Sequence, residues 1–257
     1  MLARQRIYCA TPGKLNDPWD CRPWFDASLL QRDPAELEKY LDFLYNSTNP
    51  RPPIELRRQH DDLMRSDPVA LEQTLARYSR IVQVEIACRR IYCLTPHPDN
   101  ILMWSHYAED HKGICLQFDT NVQLFGTAWA VKYLEDYPSL TAHVMTFDGV
   151  LPTILTKSDV WEYEHEFRIL GTPQQTGLPI QLDGNYLPIG NALSGIILGC
   201  EADNRTILKF MKGHAPDLPV YRAARENSQY RLKIVEFSDH EIACQIAPPP
   251  ATKRRRP

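Results

Sequence analysis

Hydrophobic positions in the first third of the chain recur with the period of a helix. Two segments, each preceded by an aspartate that can cap a helix, carry an apolar residue every three or four positions. The first segment follows Asp33 and the second follows Asp67 and Pro68. The apolar positions are Leu37, Tyr40, Leu41 and Leu44 in the first segment and Leu71, Leu75, Tyr78, Val82 and Ile86 in the second. The pattern predicts a helical insertion near the N-terminus, at about residues 33–90.

Shorter apolar runs bounded by turn residues predict strands over most of the remaining chain. Predicted strands lie at residues 7–10, 91–94, 113–118, 128–133, 180–182, 195–198, 220–222, 230–235 and 242–244. Predicted helices between them lie at residues 100–109, about 141–157 and 204–212. Helices and strands in this order predict an α+β fold with mixed or antiparallel sheets. We expect a single domain over residues 1–247.

Composition limits the classes of function. The chain has 257 residues, of which 43% are hydrophobic and 24% are charged, and this is enough to bury a full core. A formal net charge of -3 at pH 7 argues against a general binder of polyanions. The only dense basic run, Lys253–Arg256, follows three prolines at residues 248–250. We expect a disordered basic tail at residues 248–257, and contact with nucleic acid only through that tail.

Two further features concern the compartment. Residues 1–10 include charges and lack the apolar core of a signal peptide, and no run approaches the length of a membrane span. Seven cysteines are scattered without a Cys-x-x-Cys pair, which indicates buried reduced thiols rather than disulfides or a zinc site. Both features predict a cytoplasmic protein that makes no contact with a membrane.

An acidic pair, Glu164 and Glu166, opens the apolar run that ends at Ile169. If residues 161–169 form a strand, both carboxylates point the same way and Arg168 continues that face. Like charges at this spacing oppose each other's ionisation, and burial raises the pKa further, so one carboxylate could serve in proton transfer or stabilise a cation. The alternative is a solvated strand start at which Glu166 and Arg168 pair at the surface.

Polar residues are also dense where the helix predicted at residues 100–109 meets the next strand. His106 and Asp110 lie four residues apart, as do Tyr107 and His111. Either pair could share a helix face and contribute to a metal site or a proton relay, or could simply form a hydrogen-bonded junction. One histidine-carboxylate pair does not complete a ligand set, so we expect no metal.

The loop at residues 16–20, Asn-Asp-Pro-Trp-Asp, is the third polar group. Asn and Asp before Pro favour a turn in which Asp17 and Asp20 accept hydrogen bonds from nearby amides. A structural turn is one interpretation. The other is a rigid loop that lines a pocket and holds the polar edge of a ligand.

Taken in order, four blocks resemble a known family. They are residues 8–12 (Tyr-Cys-Ala-Thr-Pro), 15–20 (Leu-Asn-Asp-Pro-Trp-Asp), 102–119 and 157–169. The set is similar to the bacterial domain of unknown function 2971, and the resemblance extends through Gly195–Gly199 over most of the chain. It implies a family and not an activity. Members usually begin with a further strand and a helix before the first block, so we expect a part of the fold to be missing here.

A more distant resemblance implies an activity. In ADP-ribosyltransferases a Glu-x-Glu pair at the mouth of a strand follows an earlier strand bearing Ser or Thr, which is similar to Glu164-His165-Glu166 after residues 8–11. Breaking the bond between nicotinamide and ribose builds an oxocarbenium-like cation that a fixed carboxylate can stabilise. The resemblance makes Glu166 the catalytic glutamate, and Glu164 would orient or deprotonate the acceptor. It implies an ADP-ribosyltransferase-like fold and NAD as the substrate, with the acceptor unknown.

The same resemblance implies a set of dinucleotide contacts. Thr11 would support the strand that frames the cleft, and Tyr107 would stack on the nicotinamide ring. The full expected set is Thr11, Asn16, Asp17, His106, Tyr107 and Arg168. Those enzymes also place an Arg or His on the first strand to grip the dinucleotide, and this chain has no recognisable equivalent. If the expected residues serve one site, they should converge on a single cleft with Glu164 and Glu166.

Two other classes of function stay open. A metal-dependent nuclease or hydrolase could use Asp17, Asp20, Glu164 and Glu166, although the chain lacks the Glu-x-Lys pattern that many nucleases carry. A non-catalytic component of a bacterial defence or toxin system would need only a ligand-binding pocket.

Overall fold

The computed structural model describes residues 4–46, 50–140, 147–173, 180 and 182–246. Helices combine with several sheets of antiparallel or mixed strand order, which confirms the predicted α+β class. The helices are α1 (Ala27–Arg32), α2 (Pro34–Asn46), α3 (Ile54–Ser66), α4 (Pro68–Ala87), α5 (Ile101–Tyr107), α6 (Gln123–Gly126), α7 (Phe147–Ile154), α8 (Asn204–His214) and α9 (Asp239–Ile246). Two 3₁₀ turns lie at Pro12–Lys14 and Asp159–Glu164. The strands are β1 (Arg6–Tyr8), β2 (Arg90–Leu94), β3 (Ile114–Phe118), β4 (Trp129–Ala130), β5 (Lys132–Leu134), β6 (Thr156–Ser158), β7 (Phe167–Gly171), β8 (Tyr186–Pro188), β9 (Leu193–Leu198), β10 (Val220–Arg225) and β11 (Leu232–Glu236).

The strands of the described residues pair in four sheets. The largest has the order β11-β10-β9-β3, with β9 parallel to β10 and the other pairs antiparallel. A second, antiparallel sheet has the order β2-β7-β4 and holds Arg168 opposite Cys93 on one side and Trp129 on the other. The pairs β1-β8 and β5-β6 are two-stranded, and a bridge from Ala10 to Ile91 ties the chain after β1 to β2. β7 is therefore the central strand of its sheet, and the predicted acidic pair immediately precedes it.

The N-terminal helices form because their caps and apolar stripes agree. Asp33 and Asp67 each accept hydrogen bonds from backbone N–H groups in the first turns of α2 and α4. The stripe predicted for α4 is buried along its whole length, and three of the four positions predicted for α2 are buried. These side chains pack with α7 into one apolar core. Helices α1 and α3 were not predicted. Because α1 precedes α2, the helical segment begins at Ala27 rather than near residue 33.

Two local predictions near the chemistry are wrong. Residues 161–169 do not form one strand, because Asp159–Glu164 is a 3₁₀ turn, His165 has a φ of 44°, and β7 begins only at Phe167. Residues 128–133 split into β4 and β5, which belong to different sheets. At the split, the N–H of Val131 donates to the carbonyl of Glu166. Each of the two segments is therefore divided between two elements of secondary structure.

Three further predicted elements differ from the structure. Residues 242–244 belong to α9, whose start is stabilised by a capping box in which Ser238 and Glu241 bond each other's backbone N–H. The helix predicted to about residue 157 ends at Ile154 and gives way to β6, while residues 141–146 lie outside the described residues. Ile180 and Leu182 are not in a strand, and residue 181 between them lies outside the described residues.

Three expectations about the chain as a whole have separate outcomes. The predicted tail at residues 248–257 lies outside the described residues. Within the described residues, no helix combines the length and apolar character that a membrane crossing requires. All seven cysteines are free thiols, but the expectation that they are buried holds only for Cys9 and Cys21, since Cys115 and Cys200 are partly buried and Cys88, Cys93 and Cys244 are exposed.

Candidate functional site

Five ionisable side chains meet below the surface where β7 begins. Asp20 comes from the N-terminal loop, Lys157 from β6, Glu164 from the end of the second 3₁₀ turn, Glu166 from the residue just before β7, and Arg168 from the start of β7. Each of the five is at most 6% exposed. We call this set the buried ionic cluster. Since Asp20 lies 148 residues before Arg168, the cluster exists only in the folded chain.

Arg168 is the centre of the cluster. Its guanidinium donates two hydrogen bonds to Glu166, from Nε to Oε1 at 2.8 Å and from Nη2 to Oε2 at 2.9 Å. On its other side it donates to the two oxygens of Asp20 at 2.8 and 2.5 Å, and to the carbonyl of Ile154 at 2.5 Å. The planar fork of a guanidinium suits such paired carboxylates. Arg168 is fully buried, so its charge is removed from water, and these hydrogen bonds offset the cost of that desolvation.

Lys157 lies between the two glutamates. Its Nζ donates to Oε2 of Glu164 at 2.6 Å and to Oε2 of Glu166 at 3.5 Å. The same Nζ is 4.7 Å from the centroid of the Trp161 ring, within the range of a cation–π interaction. The acidic pair therefore has a cation between its members, and the mutual repulsion expected from the sequence is offset.

A chain of hydrogen bonds joins the cluster to the surface. The hydroxyl of Tyr107 donates to Oε1 of Glu164 at 2.6 Å, and Nδ2 of Asn16 donates to that hydroxyl at 2.7 Å. Asn100 caps α5 and its Nδ2 donates to the carbonyl of Tyr163, which fixes α5 against the turn that carries Glu164. Tyr107 is about half exposed at 49%. Glu164 thus has a short polar connection to solvent through Tyr107.

The protonation states follow from these contacts. Burial acts to raise the pKa of Glu166, but the hydrogen bonds and charge of Arg168 and the charge of Lys157 outweigh it and lower the pKa. Burial acts to lower the pKa of Lys157, and the nearby Glu166 and Glu164 outweigh it and raise the pKa. The pKa of the Tyr107 hydroxyl is raised by burial and by its hydrogen bond to Glu164. The prediction that repulsion and burial raise the pKa of the acidic pair is therefore wrong for Glu166, which stays ionised beside its cations.

A cleft of about 400 Å³ opens beside the cluster. Asp17 and Lys157 line it, together with the rings of Trp19 and Trp161. Glu164 does not line the cleft and is reached from it through Lys157. The cleft has the size of a pocket for a small organic ligand.

The distant blocks come together in one hydrogen-bonded network, but the predicted convergence on a single cleft is not confirmed, because only Asp17 of the predicted residues lines the cleft. Asn16, Tyr107 and Glu164 are joined by direct hydrogen bonds, and Lys157 and Arg168 join Glu164 to Glu166 and to the N-terminal loop. The ring of His106 packs 6.5 Å from that of Trp161. The roles assigned to these residues stay predictions.

Two other predicted features take no part in this network. Among the described residues, the side chain of Thr11 makes no hydrogen bond that caps the first 3₁₀ turn. The helical pairing of His106 with Asp110 is wrong, because α5 ends at Tyr107 and Asp110 and His111 have positive φ values of 53° and 67°. His111 instead places Nε2 3.1 Å from the hydroxyl of Ser105.

The structure also distinguishes between the alternative interpretations drawn from the sequence. The solvated surface pair is wrong, since Glu166 and Arg168 are both buried. Asp17 accepts a hydrogen bond from the backbone N–H of Trp19, as the turn interpretation requires, and it also lines the cleft, as the pocket interpretation requires. In the described part of the chain, no group of three or more His, Cys, Asp or Glu residues is arranged to hold a metal ion.

Sequence reasoning missed two residues that shape the site. Lys157 neutralises the acidic pair, and its only signal was its place at the head of the block at residues 157–169. Thr153 lines the cleft with a hydroxyl that is buried, and no pattern in the sequence marks it.

No protein family model matches the chain, and the comparisons with characterised proteins and with solved structures give no significant match. The resemblances drawn from the four sequence blocks therefore stay predictions, and the function has to be argued from the geometry of the site.

Proposed function

We propose that the chain is an ADP-ribosyltransferase-like enzyme that binds NAD in the cleft beside the buried ionic cluster. Membership of the family of domain of unknown function 2971 and an ADP-ribosyltransferase-like fold are parts of the same proposal. The observation that carries it is the contact of Glu164 with both Lys157, which lines the cleft, and Tyr107, which reaches the surface. A fixed carboxylate at such a position can stabilise the cation that forms at the ribose.

The contacts favour Glu164 over Glu166 as the residue that meets the ligand. Arg168 donates to both oxygens of Glu166, so this carboxylate is committed to the cluster. Glu164 has one oxygen on Lys157 and the other on the half-exposed Tyr107 hydroxyl. We therefore propose that Glu164 is the catalytic carboxylate and that Glu166 is a positioning residue, which holds Lys157 and Arg168 in place.

The proposed reaction needs three events. Nicotinamide leaves with the electron pair of the broken carbon–nitrogen bond, and the cation left at C1′ of the ribose is stabilised by the carboxylate of Glu164. The acceptor attacks C1′, and its proton passes to Glu164, directly or through the hydroxyl of Tyr107. Because Glu164 is only 3% exposed, Lys157 has to move aside when the ligand enters.

The test is release of nicotinamide from NAD by the wild type, Glu164→Gln and Glu166→Gln. Glutamine preserves the volume of glutamate, so both variants should fold, which circular dichroism would verify. We expect Glu164→Gln to lower the rate by at least about a hundredfold, the usual effect of losing a group that acts in the transition state. Glu241→Gln, at an exposed surface pair, is the control and should leave the rate unchanged. No NAD turnover and no NAD binding by the wild type would contradict the proposal.

One observation favours a second candidate, a ligand-binding protein without catalysis. In the described structure every carboxylate oxygen of Glu164 and Glu166 already has a donor from Tyr107, Lys157 or Arg168. A protein that only binds would keep this network intact. Saturable NAD binding without nicotinamide release, and with unchanged affinity in Glu164→Gln, would favour this second function.

The metal-dependent hydrolase has less support from the contacts. Asp20 and Glu166 are both paired with Arg168, and Lys157 is paired with Glu164, so these acids already have cations. A nuclease activity that chelators remove and that manganese or magnesium restores would nevertheless establish it.

A further inference from the structure

The cleft contains polar groups whose partners are already supplied by the protein. Asp17 accepts from the N–H of Trp19, Asp20 is paired with Arg168, and Lys157 is paired with Glu164. These groups shape the cleft without needing a ligand. The side chains that remain for recognition include a buried hydroxyl, two exposed carboxylates, the aromatic walls and the exposed cation Arg22.

The buried hydroxyl belongs to Thr153 on α7. Thr153 is 5% exposed and lines the cleft, and among the described residues its Oγ1 has no hydrogen-bond partner. Burying a hydroxyl without a partner is unfavourable, and native proteins rarely do so without a reason. An atom of a bound ligand would supply the missing hydrogen bond.

The walls and rim of the cleft suit a positive charge. Trp19, at 66% exposed, lines the cleft with Tyr137 and Trp161, and the face of an indole ring attracts cations. Trp161 already has the Nζ of Lys157 at 4.7 Å from its ring centroid. Glu135 and Asp136 line the same cleft and are exposed, so they add negative potential at its edge.

We propose that the cleft recognises a planar organic cation that carries one hydrogen-bonding group. The aromatic walls and the rim carboxylates contact the positive charge, and the hydroxyl of Thr153 forms a hydrogen bond with the polar group. The inference rests on the proposed function for the nature of the natural ligand, because the pyridinium head of NAD belongs to this class. It adds that the cationic head determines binding at the cleft, where Arg22 and Lys157 are the cations of the described lining and Lys157 is paired with Glu164 until the ligand enters.

The experiment compares three small probes by calorimetric titration of the full chain. They are 1-methylnicotinamide, which has the charge and the carboxamide, nicotinamide, which lacks the charge, and N-methylpyridinium, which lacks the carboxamide. We expect 1-methylnicotinamide to bind at least about tenfold more tightly than nicotinamide because of the cation–π and carboxylate interactions. Equal affinities for these two probes would overturn the proposal.

The hydroxyl is tested by Thr153→Val, which keeps the shape of the side chain. The substitution should weaken the binding of 1-methylnicotinamide by about tenfold, the effect of losing one buried hydrogen bond, and should leave the affinity for N-methylpyridinium unchanged. Thr127→Val, whose hydroxyl bonds a carbonyl in another part of the structure, is the matched control and should change neither affinity. An equal loss for both probes in Thr153→Val would overturn the role of the hydroxyl, because the variant would then act through shape alone.

The outcomes also separate this inference from the proposed function. If 1-methylnicotinamide binds as expected while NAD is neither bound nor cleaved, the cation cleft is supported and the transferase proposal fails. If NAD is cleaved but 1-methylnicotinamide neither binds nor inhibits, the cation cleft is overturned and the transferase proposal stands.

Discussion

Arg168→Met is the substitution that most severely tests the buried ionic cluster. Methionine fills much of the space of the arginine side chain but removes its charge and all of its donors. The hydrogen bonds to Glu166 at 2.8 and 2.9 Å and to Asp20 at 2.8 and 2.5 Å would be lost together. Both carboxylates would remain in a site where they are nearly inaccessible to water.

The expected cost follows from that imbalance. Removing one partner of a buried ion pair typically costs about 3–5 kcal/mol, because the other charge is left uncompensated. Asp20 would lose its cation, whereas Glu166 would keep Lys157 at 3.5 Å, so we expect a loss within that range. This is a large part of the roughly 5–15 kcal/mol by which a domain is stable.

Urea unfolding at neutral pH, followed by circular dichroism, measures the loss. Arg225→Met is the control, since the pair of Arg225 with Glu201 is exposed and its loss should leave the free energy of unfolding nearly unchanged. Loss of the guanidinium raises the pKa of buried Asp20, and it also raises that of Glu166, which keeps only Lys157, so the stability of Arg168→Met should increase as the pH falls from about 7 to about 5. If Arg168→Met is no less stable than Arg225→Met, the cluster is not the buried network described above.

Three further predictions concern stability. Gly199→Ala should cost about 3 kcal/mol in urea unfolding, because a Cβ there would lie 2.0 Å from the carbonyl oxygen of His111, whereas Gly213→Ala, with open space around its Cβ, should cost nothing. Asp67→Ala should cost about 1 kcal/mol by removing the N-cap of α4, and thermal unfolding of the variant checks it against the wild type. The pKa of Glu166 is lowered in the folded state, so its stabilisation is present above the pKa of the unfolded chain and is lost as the pH falls through the folded pKa. Glu166→Gln should therefore flatten the acid limb of stability against pH, and an unchanged limb would contradict the assignment.

Elements governed by local signals were predictable from the sequence. The caps at Asp33 and Asp67 and the helical periodicity behind them agree with α2 and α4. The start of α9 also had a local signal, since Ser238 and Glu241 are spaced as in a capping box. The strand predicted at residues 242–244 is wrong because this cap signal favours a helix.

The arrangement of the site was only partly predictable. Glu164 and Glu166 were expected to share a strand face, but they reach the cluster through a 3₁₀ turn and the left-handed backbone of His165. Their protonation depends on Lys157 and Arg168, whose positions follow from tertiary packing and not from spacing. The residue types and the sequence blocks therefore indicated where the candidate site lies. The balance of charges within that site could be worked out only from the folded structure.

The central claim, that the cleft beside Glu164 and Lys157 is an NAD site, is tested most directly by calorimetric titration of the wild-type chain with NAD. The account predicts saturable binding at one site, with 1-methylnicotinamide as a competitor. The absence of any binding heat at millimolar NAD, with the protein shown to be folded, would contradict it.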